Sequence, residues 1–255
     1  MRITRPNNKI KATSFDNIQE MLNYIKTTPI NEVFKSKWGG LASTRKESGI
    51  SNWFGTKSFD EALELMKTGW TDKSKELEEK FTKVVRQETT VTRQKSVYDV
   101  VGGNCSVPRY LQGAPTNMIR QVRKPVKEKV KTVNYNIGFN CSCTSEEITQ
   151  KAIDCLSYVK QLEDSGTRVV LNVSWVTSRY DSYLGYSVCV KKSSERFSVS
   201  KMSFCLCHAS MLRRIMFSLL ERDPDATSDY VEGYGTSVRN KISLEKVFPD
   251  VEFFS

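Results

Sequence analysis

The sequence predicts an α/β fold, α+β overall, with a helical N-terminal region and a C-terminal sheet covered by helices. Three observations carry that prediction. From residue 131 onward, strand patterns of period two alternate with helical patterns of period 3.6. Before residue 88 the apolar residues recur at helical spacing. Between these regions the chain is rich in Gly, Pro and positive charge. It divides accordingly into a helical region over 1–87, a basic Gly/Pro-rich connector over 88–130 and an α/β domain over 131–255.

In the first region, Ser14 to Ile25 reads as an amphipathic helix, with Ser14 as N-cap and Ile18, Met21, Leu22 and Ile25 on one face. A second helix starts at Ser58, where Ser58 and Glu61 match the S-x-x-E capping box. Ala62, Leu63 and Met66 give its apolar stripe, and Gly69 is the residue that ends it. Residues 71–87 read as a third, more polar helix with Leu77, Phe81 and Val84 on one side.

The connector carries Gly102, Gly103, Pro108, Gly113, Pro115 and Pro125, which favour turns and extended pieces over helix. Its run Ser96 to Val101 fits a strand or one helical turn. Beyond it, Lys131 to Asn140 alternates as a strand, and Ser145 to Glu163 is an amphipathic helix stopped by Gly166. Arg168 to Val176 and Tyr186 to Lys191 are strands, Phe197 to Cys207 reads as a third, and His208 to Glu221 as a helix. A right-handed crossover sets strand 131–140 beside strand 168–176. The apolar end, Val247 to Phe254, is a candidate edge element.

The totals limit the function. The chain has 255 residues, 38% hydrophobic and 27% charged, enough for a packed core. No apolar run is long enough to span a membrane, and the basic N-terminus is followed by no apolar stretch, so a soluble, intracellular protein is expected. Seven cysteines are an odd number, and Cys141/Cys143 and Cys205/Cys207 are C-x-C pairs. They read as small buried hydrophobes in a reducing compartment, since zinc asks for turn-borne C-x-x-C or Cys/His pairs. The net charge is +10. Residues 1–130 hold 24 Lys/Arg against 14 Asp/Glu, whereas residues 131–255 hold 15 of each. Residues 80–131 alone hold 12 basic and 3 acidic side chains, which points to an acidic partner, nucleic acid first.

No catalytic constellation stands out, and a non-enzymatic protein is expected. His208 is the only histidine, and its position suits a helix-start hydrogen bond better than catalysis. No P-loop or G-x-G-x-x-G is present. Asn140, Ser142 and Thr144 lie between a strand end and a helix, where open α/β sheets place ligands and where oxygen ligands suit Mg²⁺. Asn140 supplies no anionic ligand, however, and the plainer reading is a turn with Ser145 as N-cap. No metal or cofactor is expected. In the connector, Arg109, Arg120, Arg123, Lys124, Lys127 and Lys129 are candidate phosphate contacts, and Tyr110, with Tyr98 nearby, could stack on exposed bases. The alternatives are a solvated linker, a protein-interaction module without nucleic acid, and an enzyme using the 140–145 loop with His208 or Asp181.

Three segments carry a resemblance: Asn52 to Trp70, Asp99 to Met118, and Val133 to Val176. In order and spacing they resemble a family of uncharacterised proteins of tailed phages and prophages, over about residues 50–220. The resemblance implies a setting in the cytoplasm of a bacterial host or in the virion, and no catalytic residues. The C-terminal half is also similar to Rossmann-like sheets and to a degenerate von Willebrand factor A-like domain. The function expected is a binding or assembly protein holding nucleic acid or an acidic protein through its connector.

Overall fold

The computed structural model describes residues 1–35, 40–45, 53–87, 95–122, 129–139, 143–249 and 251–254. Strands β1 (Arg2–Asn7) and β2 (Ile10–Phe15) open the chain. Helices α1 (Ile18–Thr27), α2 (Glu32–Lys35), α3 (Phe59–Thr68) and α4 (Thr71–Gln87) follow. Then come β3 (Lys95–Asp99), β4 (Asn104–Cys105), α5 (Val107–Leu111) and β5 (Met118–Val122). The central elements are β6 (Lys129–Asn136), α6 (Ser145–Asp164), β7 (Thr167–Arg179), β8 (Ser182–Lys191) and α7 (Val199–Cys207). A π-helix, Met211–Met216, runs into α8 (Phe217–Leu220), and the chain closes with β9 (Thr236–Ser237), α9 (Lys241–Val247) and β10 (Glu252–Phe254).

The main sheet has the order β1-β2-β8-β7-β6-β10, with β9 paired to the end of β7. β6 lies parallel to β7 from the Lys129–Thr167 pair to the Asn136–Ser174 pair, with α6 crossing between them, as the sequence predicts. β7 and β8 form an antiparallel hairpin, and β2 lies parallel to β8. The C-terminal end does dock on an edge: β10 lies parallel to β6.

Alternation along the strands separates two faces. Val133, Tyr135, Leu171, Val173, Trp175, Tyr186 and Val188 point to the larger core, where they meet α1, α4, α6, α7 and the π-helix. Leu156 and Val159 of α6 are fully buried there. Truncating such a side chain to Ala costs about 2–5 kcal/mol. The opposite face is smaller and is covered by Leu244, Val247 and Phe248, packed on Ala12 and Val176. Gly185 is required there, because a Cβ on it would stand 2.5 Å from Val247 Cγ1.

Three sequence expectations are corrected. The first helix does not begin at Ser14. Residues 10–15 alternate and pair with β8, and the N-cap is Asn17, whose Oδ1 accepts from the Glu20 N–H at 2.9 Å. The segment 197–207 is not a strand, because Val199–Cys207 is helix α7. Val199, Met202, Phe204, Cys205, Leu206 and Cys207 are all buried, so apolar residues surround the helix and hide its period. Finally, Thr144 rather than Ser145 caps α6, in a reciprocal capping box with Glu147. The second helix keeps its predicted signals: Ser58 Oγ accepts from the Glu61 N–H at 3.1 Å, and Gly69 closes it at φ +87°.

Two buried polar side chains of the C-terminal helices hold Ser43, Arg45 and Thr56. The Arg214 guanidinium donates to the backbone carbonyls of Ser43, Arg45 and Thr56 and to Thr56 Oγ1, at 2.6–3.1 Å. The Glu221 carboxylate accepts from the Ser43 N–H at 3.2 Å and from the Tyr234 hydroxyl at 2.6 Å. Burial pushes the Glu221 carboxyl above its ordinary range.

Candidate nucleic-acid interface

The connector folds as a small antiparallel sheet with the order β3-β5-β4. Val97 faces Arg120 and Tyr98 faces Ile119 across the β3–β5 ladder, while Cys105 faces Met118 across β4–β5. Gly102 lets the β3–β4 turn pass over β5, because a Cβ there would lie 2.4 Å from the Ile119 carbonyl oxygen. Gly103 N–H donates to that same oxygen at 3.1 Å. Thus the glycine pair that reads as loop punctuation in the sequence is a close backbone approach.

Arg109 of α5 organises the next turn. Its Nε donates to the Thr116 carbonyl at 3.0 Å and its Nη2 to Thr116 Oγ1 at 3.1 Å. The guanidinium also lies over the Tyr98 ring, 4.4 Å from the centroid. Arg120 reaches diagonally across the ladder to Asp99, with 3.3 Å between Nη1 and Oδ2. Both side chains of that pair are substantially exposed, so it holds Arg120 loosely.

This small sheet has no apolar core. Within 96–120, where side chains are described, Ser106 is the one buried residue. Neither hydrophobic core of the protein includes a residue from this stretch. Among the described residues, the hydrogen bonds, ion pairs and ring contacts of 95–122 run within the segment. Its apolar side chains face outward instead: Tyr98 is 53% exposed, Tyr110 64%, Val101 73% and Leu111 78%. Val100 and Val107 are exposed as well. A three-stranded sheet with neither face packed is marginal in water.

Of the residues named from the sequence, Arg120 lies on β5 of this sheet, Arg109 and Tyr110 lie on helix α5 between β4 and β5, and Lys129 stands exposed at the start of β6. Arg123, Lys124 and Lys127 lie outside the described residues. Lys131 is engaged elsewhere: its ammonium lies 2.6 Å from Glu252, and its pKa is raised by the hydrogen bonds to Glu252 and Tyr158. Sequence reasoning missed the exposed aliphatics Val100, Val101, Val107 and Leu111. The clustering of four such residues in a Gly/Pro-rich, uncored segment was the available signal.

The other candidate chemistry resolves into structural roles where it is described. Thr144 Oγ1 accepts from the Glu147 N–H at 3.2 Å, so the hydroxyl caps α6; Asn140 and Ser142 lie outside the described residues. His208 Nδ1 accepts from the Ser210 N–H at 3.1 Å, the helix-start bond expected. Burial pushes the Cys205 thiol up to about 12, which keeps it an inert thiol. Among the described residues, no group of three His, Cys, Asp or Glu side chains is placed to hold a metal ion. No described helix is long and apolar enough to cross a membrane.

No curated protein and no solved structure matches the chain. The family model described as "Domain of unknown function (DUF7192)" matches residues 4–253, nearly the whole sequence. The chain therefore belongs to the DUF7192 family.

Proposed function

We propose that the protein is a non-enzymatic binding or assembly protein that holds single-stranded nucleic acid on its small β3-β5-β4 sheet. The observation that carries this reading is a sheet without a core whose exposed side chains include the aromatic Tyr98 and Tyr110 and the basic Arg120. Tyr98 and Tyr110 offer faces for base stacking, worth about 1–3 kcal/mol per base. Arg109, Arg120 and Lys129, joined by Arg123, Lys124 and Lys127 of the same stretch, offer phosphate contacts. Arg109 is held in place, whereas the weak surface pair leaves Arg120 able to exchange Asp99 for a phosphate.

The test is fluorescence anisotropy of labelled single-stranded DNA, single-stranded RNA and duplex across a salt series. Binding should favour single strands and weaken steeply between about 50 and 200 mM salt. No binding at low salt, or binding insensitive to salt, overturns it.

Val100, Val101, Val107 and Leu111 favour a second reading, an acidic protein partner that covers aliphatic surface. A complex that survives nuclease treatment would distinguish it. A phage or prophage setting, in the host cytoplasm or the virion, belongs to the same proposal and rests on the three segments that resemble such proteins. The likeness of the C-terminal half to a von Willebrand factor A-like domain is also part of it, supported by a parallel β6-α6-β7 unit whose helix is capped by Thr144.

A further inference from the structure

Strand β6 is the point where the coverings of the sheet change sides. From β6 the chain crosses one face through α6 and returns to β7. On the other side of β6 lies β10, which the chain enters from α9, packed on the opposite face. β6 and β10 run parallel, so their C-terminal ends open together between α6 and α9. In open α/β sheets, a crevice of this kind outside the strand ends is where ligands bind.

A cavity of about 280 Å³ occupies that crevice. Its apolar wall is aromatic, with Tyr135, Phe139 and Phe254 from the strand ends. Its rim carries Lys151 of α6 and Arg239 and Lys241 from the α9 side. Among the described residues these three cations make no hydrogen bond and no ion pair with a carboxylate. The one acid among the described lining residues, Asp154, already accepts from Gln150 at 2.8 Å.

We propose that the crevice between β6 and β10 binds a nucleoside monophosphate. The phosphate carries about −1.5 to −2 charge at neutral pH, which complements three cations set against one acid. The base lies against Phe139 and Phe254. The volume lies just below the usual range of small-ligand sites, which suits a ligand no larger than one nucleotide. This site is separate from the small sheet and goes beyond the reading of that sheet.

Isothermal titration calorimetry of the full chain with the four common nucleoside 5′-monophosphates, adenosine and inorganic phosphate tests it. At least one monophosphate should bind more tightly than either adenosine or inorganic phosphate. The double variant Arg239→Ala/Lys241→Ala changes two exposed side chains and should weaken that binding at least about tenfold. Oligonucleotide binding by the small sheet should be unchanged in Arg239→Ala/Lys241→Ala. The proposal is overturned if no monophosphate binds, if inorganic phosphate binds as tightly, or if Arg239→Ala/Lys241→Ala binds as the parent does.

Discussion

The ammonium of Lys11 lies 2.6 Å from the carboxylate of Asp223, and both side chains are almost fully buried. Lys11 projects from β2, while Asp223 follows α8, so the pair joins the two ends of the chain. Tyr186 of β8 donates its hydroxyl to Asp223 Oδ2 at 2.8 Å, and the Asp225 N–H donates to Oδ1 at 2.8 Å. Asp225 lies 2.8 Å from Lys11 and 2.7 Å from Arg5, and so ties β1 into the same cluster.

Removing one partner of a buried pair leaves the other charge uncompensated and costs about 3–5 kcal/mol. Lys11→Met should lower stability by that order in urea denaturation. Lys11→Met/Asp223→Asn should be less destabilised than Lys11→Met, because the Asn oxygen still accepts from the Asp225 N–H and its NH2 can donate to the Tyr186 hydroxyl oxygen, without the stranded charge. A Lys11→Met protein within about 1 kcal/mol of the parent would contradict this account.

Gly102 separates the small sheet from the rest of the protein experimentally. A methyl at this position meets the Ile119 backbone at 2.4 Å, and backbone cannot turn aside as a side chain can. Gly102→Ala should therefore disorder the β3–β4 turn and abolish oligonucleotide binding. The melting temperature of the main body should stay within a degree or two, because none of the described side chains of 96–120 belongs to either hydrophobic core. A large drop in melting temperature would show that the sheet supports the body.

The residues that were legible in the sequence are those whose partners are near in the chain. Ser58, Glu61 and Gly69 bound a helix by local bonds, and the β6-α6-β7 unit follows from period and length. Strand β2 was misread because its pairing with β8 is distant: Ile10 meets Tyr183. Ser14 and Phe15 match the start of a helix equally well when that partner is unseen. Helix α7 was misread for a different reason, since a run buried on every side has no period to read. Of the candidate interface, the basic and aromatic residues could be named in advance. Their arrangement could not, because the Arg109–Tyr98 contact and the Gly102 crossing depend on three short strands that no local pattern specifies.

Arg120 should act through charge rather than architecture. Its surface pair with Asp99 contributes little to stability, so Arg120→Ala should leave folding unchanged. On single-stranded nucleic acid it should weaken binding and flatten the plot of log affinity against log salt by about 0.7, the increment for one lost phosphate contact. Tyr98→Ala should weaken binding with the slope unchanged, as stacking releases no counterion. If Arg120→Ala leaves the slope unaltered, Arg120 makes no phosphate contact.

His208 makes stability depend on pH in a defined window. Its ring lies against Phe204 and Trp70, with centroids 4.9 and 4.5 Å away, and burial holds its pKa down at about 4 despite the opposing pull of Glu61. The unfolded chain takes up this proton near pH 6.5 and the folded chain does not. The contribution is therefore complete above about pH 6.5 and is lost as pH falls towards 4, by about 3 kcal/mol at most. His208→Asn keeps an acceptor for the Ser210 N–H and cannot ionise. Because this is the only histidine, the difference in urea midpoint between parent and variant isolates its titration from that of the carboxylates. Any advantage of the parent over His208→Asn at pH 7.5 should shrink at pH 5.5 and shrink further at pH 4.5. A difference constant over that range would mean that His208 is protonated in the folded protein as readily as in the unfolded chain, and that its aromatic enclosure does not exclude the charge.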